Sequence, residues 1–364
     1  MKRIKLQIFS ILILLSSVFT FTNCDTDVET IDIQTLKTYD EQYFENLRTY
    51  KKSDHTLFFG YYAAYAPPLE GNEDQEKDPA SWGGERIIGL PDSMDIVNLW
   101  MGIPTENWQK VAYEDMRYCQ EKKGTRFVMH GDASKNQQFT YDGVDYDLGK
   151  EFASGEEEAR EAYRAEAIKA YAKYMVQTVL DTGIDGLDID YEPASGSIWN
   201  SDSKYMAMLA EAVGGEFFGP KGKYPDKLFM IDFFTHYPPS DTEPYVDYFI
   251  RQAYTQNFTE HSATRLQSYY DLISWAPSSK FIVVENFGSW YENGGSPFTE
   301  ADGNTLTAEG TQMYSLEGMA RWSPTQGKKA GFGAFYLDRD YYSKTGIPYY
   351  NLRRCIQIAN PAMH

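Results

Sequence analysis

The stretch DGLDIDYEP, residues 185–193, alternates acidic and apolar side chains along a segment that reads as a buried β-strand. Alternate side chains of a strand point to opposite faces, so one face carries the carboxylates of Asp188, Asp190 and Glu192. Neighbouring acids on that face lie about 6.6 Å apart, from a rise of about 3.3 Å per residue. The opposite face is apolar and consists of Leu187, Ile189 and Tyr191.

The three acids of this stretch indicate a site of proton transfer. Three close carboxylates cannot all ionise cheaply in a partly dry site, so at least one should hold a proton near neutral pH. A carboxyl group that keeps its proton is suited to general acid catalysis. A bound cation and a structural ion-pair network are the alternatives, although the segment lacks the turn glycine of a calcium loop.

Seven further segments rich in β-forming residues recur along the chain, with helical patterns between them. Eight strands that alternate with helices predict an α/β fold, a single (β/α)8 TIM barrel over residues 55–364. In such a barrel the active site lies at the C-terminal ends of the strands, so Asp188 should lie deepest and Glu192 at the mouth. The eight segments are 57–65, 95–101, 126–131, 186–192, 227–235, 248–254, 280–288 and 331–338.

The clearest helical pattern spans residues 155–182. Ser154 is predicted to cap its start, with Glu157 completing a capping box, and Gly183 is predicted to end it. The other predicted helices are 107–124, 202–213, 261–276 and 313–321, and long polar loops are expected at 68–86 and 289–312.

The first residues resemble a bacterial lipoprotein signal. Basic residues precede an apolar run at 8–21, which is too short for a comfortable membrane span, and Cys24 follows. We therefore expect a signal peptide at 1–23, a lipidated Cys24 and a polar tether over 24–54. The expected location is the outer membrane, facing the cell surface. An ordinary secretory signal, which gives a periplasmic or secreted protein, is the alternative.

Composition restricts the partners. The formal net charge of −19 argues against nucleic acid and against an anionic membrane surface. Cys119 and Cys355, which remain after Cys24, form neither a disulfide framework nor a zinc pattern, so we predict buried thiols and no metal. Aromatic residues make up 16% of the chain, which suits a protein that stacks sugar rings. We expect a monomer.

Residues 185–192 resemble the Asp-Gly-x-Asp-x-Asp-x-Glu signature on the fourth barrel strand of glycoside hydrolase family 18. The segment FGYYAAY, residues 59–65, is similar to the first strand of that family. The family contains chitinases and endo-β-N-acetylglucosaminidases. The resemblance implies a (β/α)8 hydrolase that needs no cofactor and cleaves with the help of the acetamido group of its own substrate.

The resemblance also assigns roles to residues. Glu192 would protonate the leaving oxygen and later activate water, while Asp190 would hold the acetamido N–H and stabilise the cyclic intermediate. Asp188 would pair with Asp190 and tune its charge, and Tyr254 would hydrogen-bond the acetamido carbonyl. Gln252, two residues earlier on the same strand face, either contacts the same group or is a hydrogen-bonded glutamine of the barrel interior.

Two departures favour the endo-β-N-acetylglucosaminidase branch, which cuts the GlcNAc–GlcNAc core of N-glycans. Chitinases of the family carry a tryptophan on the eighth strand, where this chain has Phe335, and Ser-x-Gly-Gly on the third, where it has VMHGDAS. A chitinase and a non-catalytic surface glycan-binding protein remain the alternatives. The acidic tether suits a surface enzyme that acts on glycoproteins. Phe335 is itself a predicted sugar-binding residue, and the further ones are Tyr61, His130 and Trp290.

Overall fold

The computed structural model describes residues 39–64, 86–255 and 259–361. The described residues from Gln42 onward group into one unit by their internal contacts. Within this unit eight parallel strands close into a barrel in the order β1-β12-β10-β8-β7-β6-β3-β2, which confirms the predicted (β/α)8 architecture. The barrel strands are β1 (Leu57–Tyr61), β2 (Ile96–Leu99), β3 (Arg126–Asp132), β6 (Gly186–Tyr191), β7 (Leu228–Phe233), β8 (Tyr248–Gln252), β10 (Phe281–Asn286) and β12 (Gly331–Phe335).

Four shorter strands lie outside the barrel. A hairpin pairs β4 with β5, and a small parallel pair joins β9 to β11. Their bounds are β4 (Gln138–Tyr141), β5 (Val144–Asp147), β9 (His261–Ser262) and β11 (Phe298–Thr299).

Helices follow most of the barrel strands. They are α1 (Glu41–Lys51), α2 (Lys110–Tyr118), α3 (Glu157–Thr182), α4 (Ile198–Ser201), α5 (Lys204–Gly214), α6 (Ala263–Asp271), α7 (Phe287–Trp290), α8 (Ser315–Arg321) and α9 (Tyr350–Ala359).

Helix α3 shows where the capping prediction was wrong. The helix ends as predicted at Gly183, which adopts the left-handed conformation at φ 66° and donates its N–H to the carbonyl of Val179. Its N-cap, however, is Glu156 and not Ser154. Glu157 instead accepts a hydrogen bond from the backbone N–H of Gly155, at 3.2 Å.

Helices α1 and α9 were not predicted. Helix α1 lies within the range expected to form the tether, and its Phe44 is buried with an edge-on contact to Tyr118. Lys51, at its end, donates to the carbonyl of Met94 and to Thr125 Oγ1. These contacts extend the folded unit upstream of residue 55.

Buried apolar side chains form two clusters, one inside the barrel and one between strands and helices. Leu187, Ile189 and Tyr191 belong to the outer cluster, as the alternation of strand β6 predicts. The inner cluster includes Phe59, Met230 and Ile250 from three other strands. The acids of β6 therefore share the barrel interior with an apolar lower layer.

Several predictions lie outside the described residues, namely those for the signal peptide, Cys24, the tether up to residue 38 and most of the loop at 68–86. Within the described ranges, no helix is long and apolar enough to cross a membrane. Cys119 and Cys355 are buried free thiols.

Candidate active site

Asp188 forms the lowest layer of the site. Its side chain is fully buried, and Asn98 Nδ2 of β2 donates a hydrogen bond to its Oδ2 at 2.8 Å. Burial is the main reason that the pKa of Asp188 rises to about 8, and the charge of Asp190 adds to the rise. At neutral pH Asp188 therefore favours its protonated form.

Asp190 lies one layer higher, where its side chain is 22% exposed. Gln252 Nε2 donates to Asp190 Oδ1 at 3.3 Å, and His130 Nε2 stands 3.8 Å from Asp190 Oδ2. Burial, followed by the charges of Asp232 and Glu192, raises the pKa of Asp190 above the ordinary aspartate value. The carboxyl group is thus held between neighbouring strands and faces the mouth of the barrel.

Glu192 is the first residue after strand β6, at the mouth. It is half-buried, and this burial raises its pKa above the ordinary glutamate value. A hydrogen bond from Gln252 and the positive charge of Arg251 act in the opposite direction. A carboxyl group with a raised pKa at the rim of a cavity is placed to give a proton to a bound molecule.

Asp232 of strand β7 is a fourth carboxyl group that the sequence reasoning missed. It is fully buried and stands opposite Asp190 in the β6–β7 register. Gln252 Nε2 donates to Asp232 Oδ1 as well as to Asp190. Its signal is a lone acid inside the apolar run KLFMIDFFT, residues 227–235, which a search for spaced acids on a single strand does not detect.

A cavity of about 430 Å³ opens above these acids. Tyr254 and Phe335 form its aromatic wall, with ring centroids 5.6 Å apart and planes inclined by 20°. The rings of Tyr61 and Phe335 make an edge-on contact, with centroids 5.6 Å apart. Both of these predicted sugar-binding residues therefore reach the same cavity. The lining residues are Tyr61, Trp100, His130, Asp190, Glu192, Asp232, Phe234, Gln252, Tyr254 and Phe335.

Besides Asp232 Oδ2, three polar atoms of the cavity wall are buried without a hydrogen-bond partner among the described residues. They are the Tyr61 hydroxyl, the Trp100 Nε1 and the His130 Nδ1. Burial lowers the pKa of His130 to about 4, so its imidazole is neutral at neutral pH. Unpaired donors and acceptors on a buried wall favour a ligand that is uncharged and rich in hydroxyl or amide groups.

Trp290, the remaining predicted sugar-binding residue, is placed elsewhere. It ends helix α7 after strand β10, and its indole N–H donates to the carbonyl of Thr255 at 3.3 Å. Trp290 is absent from the described residues that line the cavity. The structure therefore brings eight of the predicted residues to one site and leaves Trp290 beside it; the eight are Tyr61, His130, Asp188, Asp190, Glu192, Gln252, Tyr254 and Phe335.

The arrangement supplies a proton donor at the mouth, a second carboxyl group beneath it and an aromatic wall. All carboxylates on the described part of the wall, namely Asp190, Glu192 and Asp232, come from strands β6 and β7 or their ends. A conventional pair of acids on opposite faces of a sugar is not evident in the described ranges. Across those same ranges, no group of three His, Cys, Asp or Glu side chains is arranged to hold a metal ion.

Comparisons with known proteins identify relatives of this chain. The curated relative endo-β-N-acetylglucosaminidase F2 of Elizabethkingia meningoseptica is 29% identical over 307 residues, which cover 81% of this chain and 77% of the relative. A solved structure of a glutamate-to-glutamine variant of BT1044 matches with a TM-score of 0.63 at 21% identity, covering 90% of this chain and 94% of that one. For an endo-β-N-acetylglucosaminidase from Cordyceps militaris the TM-score is 0.59 at 21% identity, with 90% and 98% covered.

The sequence profile of glycoside hydrolase family 18, BT1044-like, matches residues 26–358, which is most of the chain. This chain is therefore a member of glycoside hydrolase family 18 and a glycoside hydrolase of its BT1044-like group.

Proposed function

We propose that this protein is an endo-β-N-acetylglucosaminidase that hydrolyses the GlcNAc-β-1,4-GlcNAc core of N-glycans. The observation that carries the proposal is the stacked set of carboxyl groups, with Asp190 beneath Glu192, under an aromatic wall formed by Phe335 and Tyr254. The name of the curated relative from Elizabethkingia meningoseptica supports the same activity.

In the proposed reaction the sugar supplies its own nucleophile. The 2-acetamido oxygen attacks the anomeric carbon while Glu192 gives its proton to the leaving oxygen, so the bond to the aglycone breaks and a cyclic oxazolinium ion forms. Asp190 accepts the acetamido N–H and stabilises the positive charge of this ion. Glu192, now ionised, then takes a proton from water, which opens the ring with overall retention at the anomeric carbon.

The neighbouring side chains position the acetamido group. Tyr254 is buried at the bottom of the aromatic wall, and its raised pKa, caused by burial and by Asp232, keeps the hydroxyl protonated as a donor to the acetamido carbonyl. Gln252 is committed to Asp190 and Asp232 through its amide nitrogen. These contacts support the interior role of the two that the sequence leaves open for Gln252, and they leave its amide oxygen for the substrate.

The direct test is digestion of a glycoprotein that carries high-mannose, hybrid and complex chains. Mass spectrometry should find a single GlcNAc left on asparagine and the rest of the glycan released. Chitin oligomers, tested in parallel, should be poor substrates. Preferential cleavage of the oligomers would support a chitinase instead, and binding without release of sugar would support a glycan-binding protein.

The Glu192→Gln variant is the matched control for that digestion. The amide keeps the size and hydrogen-bonding capacity of the side chain but cannot supply a proton, so turnover should fall by about 10²- to 10⁴-fold while glycan binding persists. A variant that keeps more than about a tenth of the wild-type rate would reject Glu192 as the general acid.

We also propose that the enzyme is a lipoprotein of the outer membrane that faces the cell surface. The support is the sequence alone, namely the basic start, the apolar run at 8–21, Cys24 and the acidic residues that follow it. A surface anchor would place the enzyme where glycoproteins can be reached.

A further inference from the structure

Asp232 and Asp188 each bury a carboxyl oxygen that has no N–H or hydroxyl partner among the described residues. These atoms are Asp188 Oδ1 and Asp232 Oδ2. The second oxygen of each group is satisfied by an amide, Asn98 for Asp188 and Gln252 for Asp232. Two buried carboxyl oxygens without hydrogen-bond partners destabilise the folded protein unless a proton is shared between the two carboxyl groups.

The register of the sheet brings the acids into contact. Asp190 and Asp232 are direct neighbours on β6 and β7, and Asp188 lies two residues below Asp190 on the same face. Asp232 lies beside Asp190 across the strand pair and interacts with both Asp188 and Asp190. Two carboxyl groups can hydrogen-bond only when one of them is protonated, so Asp232 connects the other two through protons.

The surroundings contain no compensating cation among the described groups that act on Asp232. Those groups are Asp188, Asp190 and Glu192 from β6 and its end, and Gln252 from β8. Tyr61 and Tyr254 also face the cluster and have raised pKa values, so they are neutral donors. His130 and Asp132 of β3 act on Asp190, and His130 is neutral at neutral pH.

Ionising more than one of three close, buried carboxyl groups is unfavourable when no cation lies beside them, so we expect a single negative charge on the cluster. The single charge belongs on the acid that is best solvated, which is Asp190, because its side chain is 22% exposed whereas Asp188 and Asp232 are fully buried. Two protons then remain on Asp188 and Asp232.

We propose that Asp232 is a positioning residue that stays protonated during turnover and donates a hydrogen bond to Asp190. This hydrogen bond orients the carboxylate of Asp190 towards the acetamido group of the substrate. It also stabilises the negative charge of Asp190, while Asp188 below it stays neutral. The inference rests on the proposed function for its catalytic consequence, but the protonation state of Asp232 can be measured without any substrate.

The kinetic test compares Asp232→Asn with Asp232→Leu on the glycoprotein substrate. An amide donates as a protonated carboxyl group does, so Asp232→Asn should keep kcat within about tenfold of wild type, whereas Asp232→Leu should lose about 100-fold in kcat with little change in KM. Asp247→Asn serves as the matched control, because this half-buried acid accepts from Phe229 N away from the cavity and its exchange should leave kcat unchanged. Equal loss of kcat in Asp232→Asn and Asp232→Leu would overturn the proposal.

The second test is infrared titration of the protonated-carboxyl band in the substrate-free protein at neutral pH. Asp232→Asn should remove one protonated carboxyl group relative to wild type. An unchanged band would show that Asp232 is ionised and would overturn the proposal even if Asp232→Leu fails to fold. A wild-type enzyme that releases no glycan would instead reject the proposed function, and the infrared result would still decide the role of Asp232.

Discussion

At the scale of single residues, one short motif determines most of the site. The alternation of residues 185–193 predicts which side chains enter the barrel, and the structure places Asp188 deepest, Asp190 above it and Glu192 at the mouth. Asp232 could not be predicted in the same way. A lone acid on a strand acquires meaning only when the strand register places it beside Asp190, and that register depends on residues distant in sequence.

Trp290 shows a different limit of reasoning from sequence. A tryptophan directly after a strand suggests a sugar platform, because strand ends surround the site of a barrel. From the end of helix α7 the indole N–H donates to the carbonyl of Thr255, a contact that the local sequence does not specify. Local sequence therefore locates the neighbourhood of such a residue and leaves its direction open.

The buried carboxyl groups should lower the free energy of unfolding as pH rises. The pKa of Asp188 is raised from 3.8 to about 8 in the folded protein, so the folded state keeps a proton that the unfolded chain releases above about pH 4. Its contribution is therefore most favourable at acid pH and is lost as pH rises towards about 8. An asparagine cannot ionise, and its amide oxygen can still accept from Asn98 Nδ2.

We expect the Tm of Asp188→Asn, relative to wild type, to increase steadily between about pH 5 and about pH 8. Differential scanning calorimetry across that range measures the effect. Asp241→Asn, at an exposed position, should show a difference in Tm that is constant with pH. A pH-independent difference for Asp188→Asn as well would mean that Asp188 is already ionised in the folded protein.

At the scale of elements, the sequence predicts all eight barrel strands, but it predicts the residues at which they end less accurately. The segment 57–65 was expected as one strand, but β1 ends at Tyr61, and β12 ends at Phe335 within the predicted 331–338. Apolar composition continues beyond the point where a strand leaves the sheet, since residues past the strand ends, such as Tyr62 and Leu337, are also buried in the core. Helix α9 was missed although its buried Leu352, Cys355 and Ile356 follow the helical spacing.

Close packing between strands β1 and β12 depends on Gly333. The two strands pair in parallel with Phe59 opposite Gly333, and a Cβ at this glycine would lie 1.7 Å from the carbonyl oxygen of Phe59. The strands can approach this closely only because residue 333 has no side chain. Phe335, two residues further on the same face, reaches the cavity wall from this position.

Gly333→Ala should therefore destabilise the barrel by about 1–3 kcal/mol or more and displace Phe335. Chemical denaturation measures the first effect, and a rise in KM for the glycan substrate measures the second. Gly89→Ala is the control, since a Cβ there would meet nothing within 4 Å. A Gly333→Ala protein as stable as the Gly89→Ala control would show that β12 can move without cost.

At the scale of the whole molecule, the net charge and the N-terminal residues both bear on how the protein can associate with a membrane. A formal charge of −19 disfavours adsorption to anionic lipid, so an association with the membrane needs a specific anchor. The described helices include no candidate membrane span. Cys24 lies outside the described residues, and the lipid anchor remains a prediction from the sequence.

The test of the anchor is the Cys24→Ala variant expressed in a Gram-negative host that processes lipoproteins. Acyl chains stabilise membrane attachment by about 0.8 kcal/mol per buried CH₂, so their loss should move the protein from the membrane fraction to the soluble fraction. Cys119→Ala and Cys355→Ala remove buried thiols and should leave the protein in the membrane fraction. If Cys24→Ala stays with the membranes as wild type does, the lipoprotein assignment is wrong. If Cys24→Ala leaves the membrane fraction, digestion of wild type by protease added to intact cells distinguishes a protein that faces outward from one that faces the periplasm.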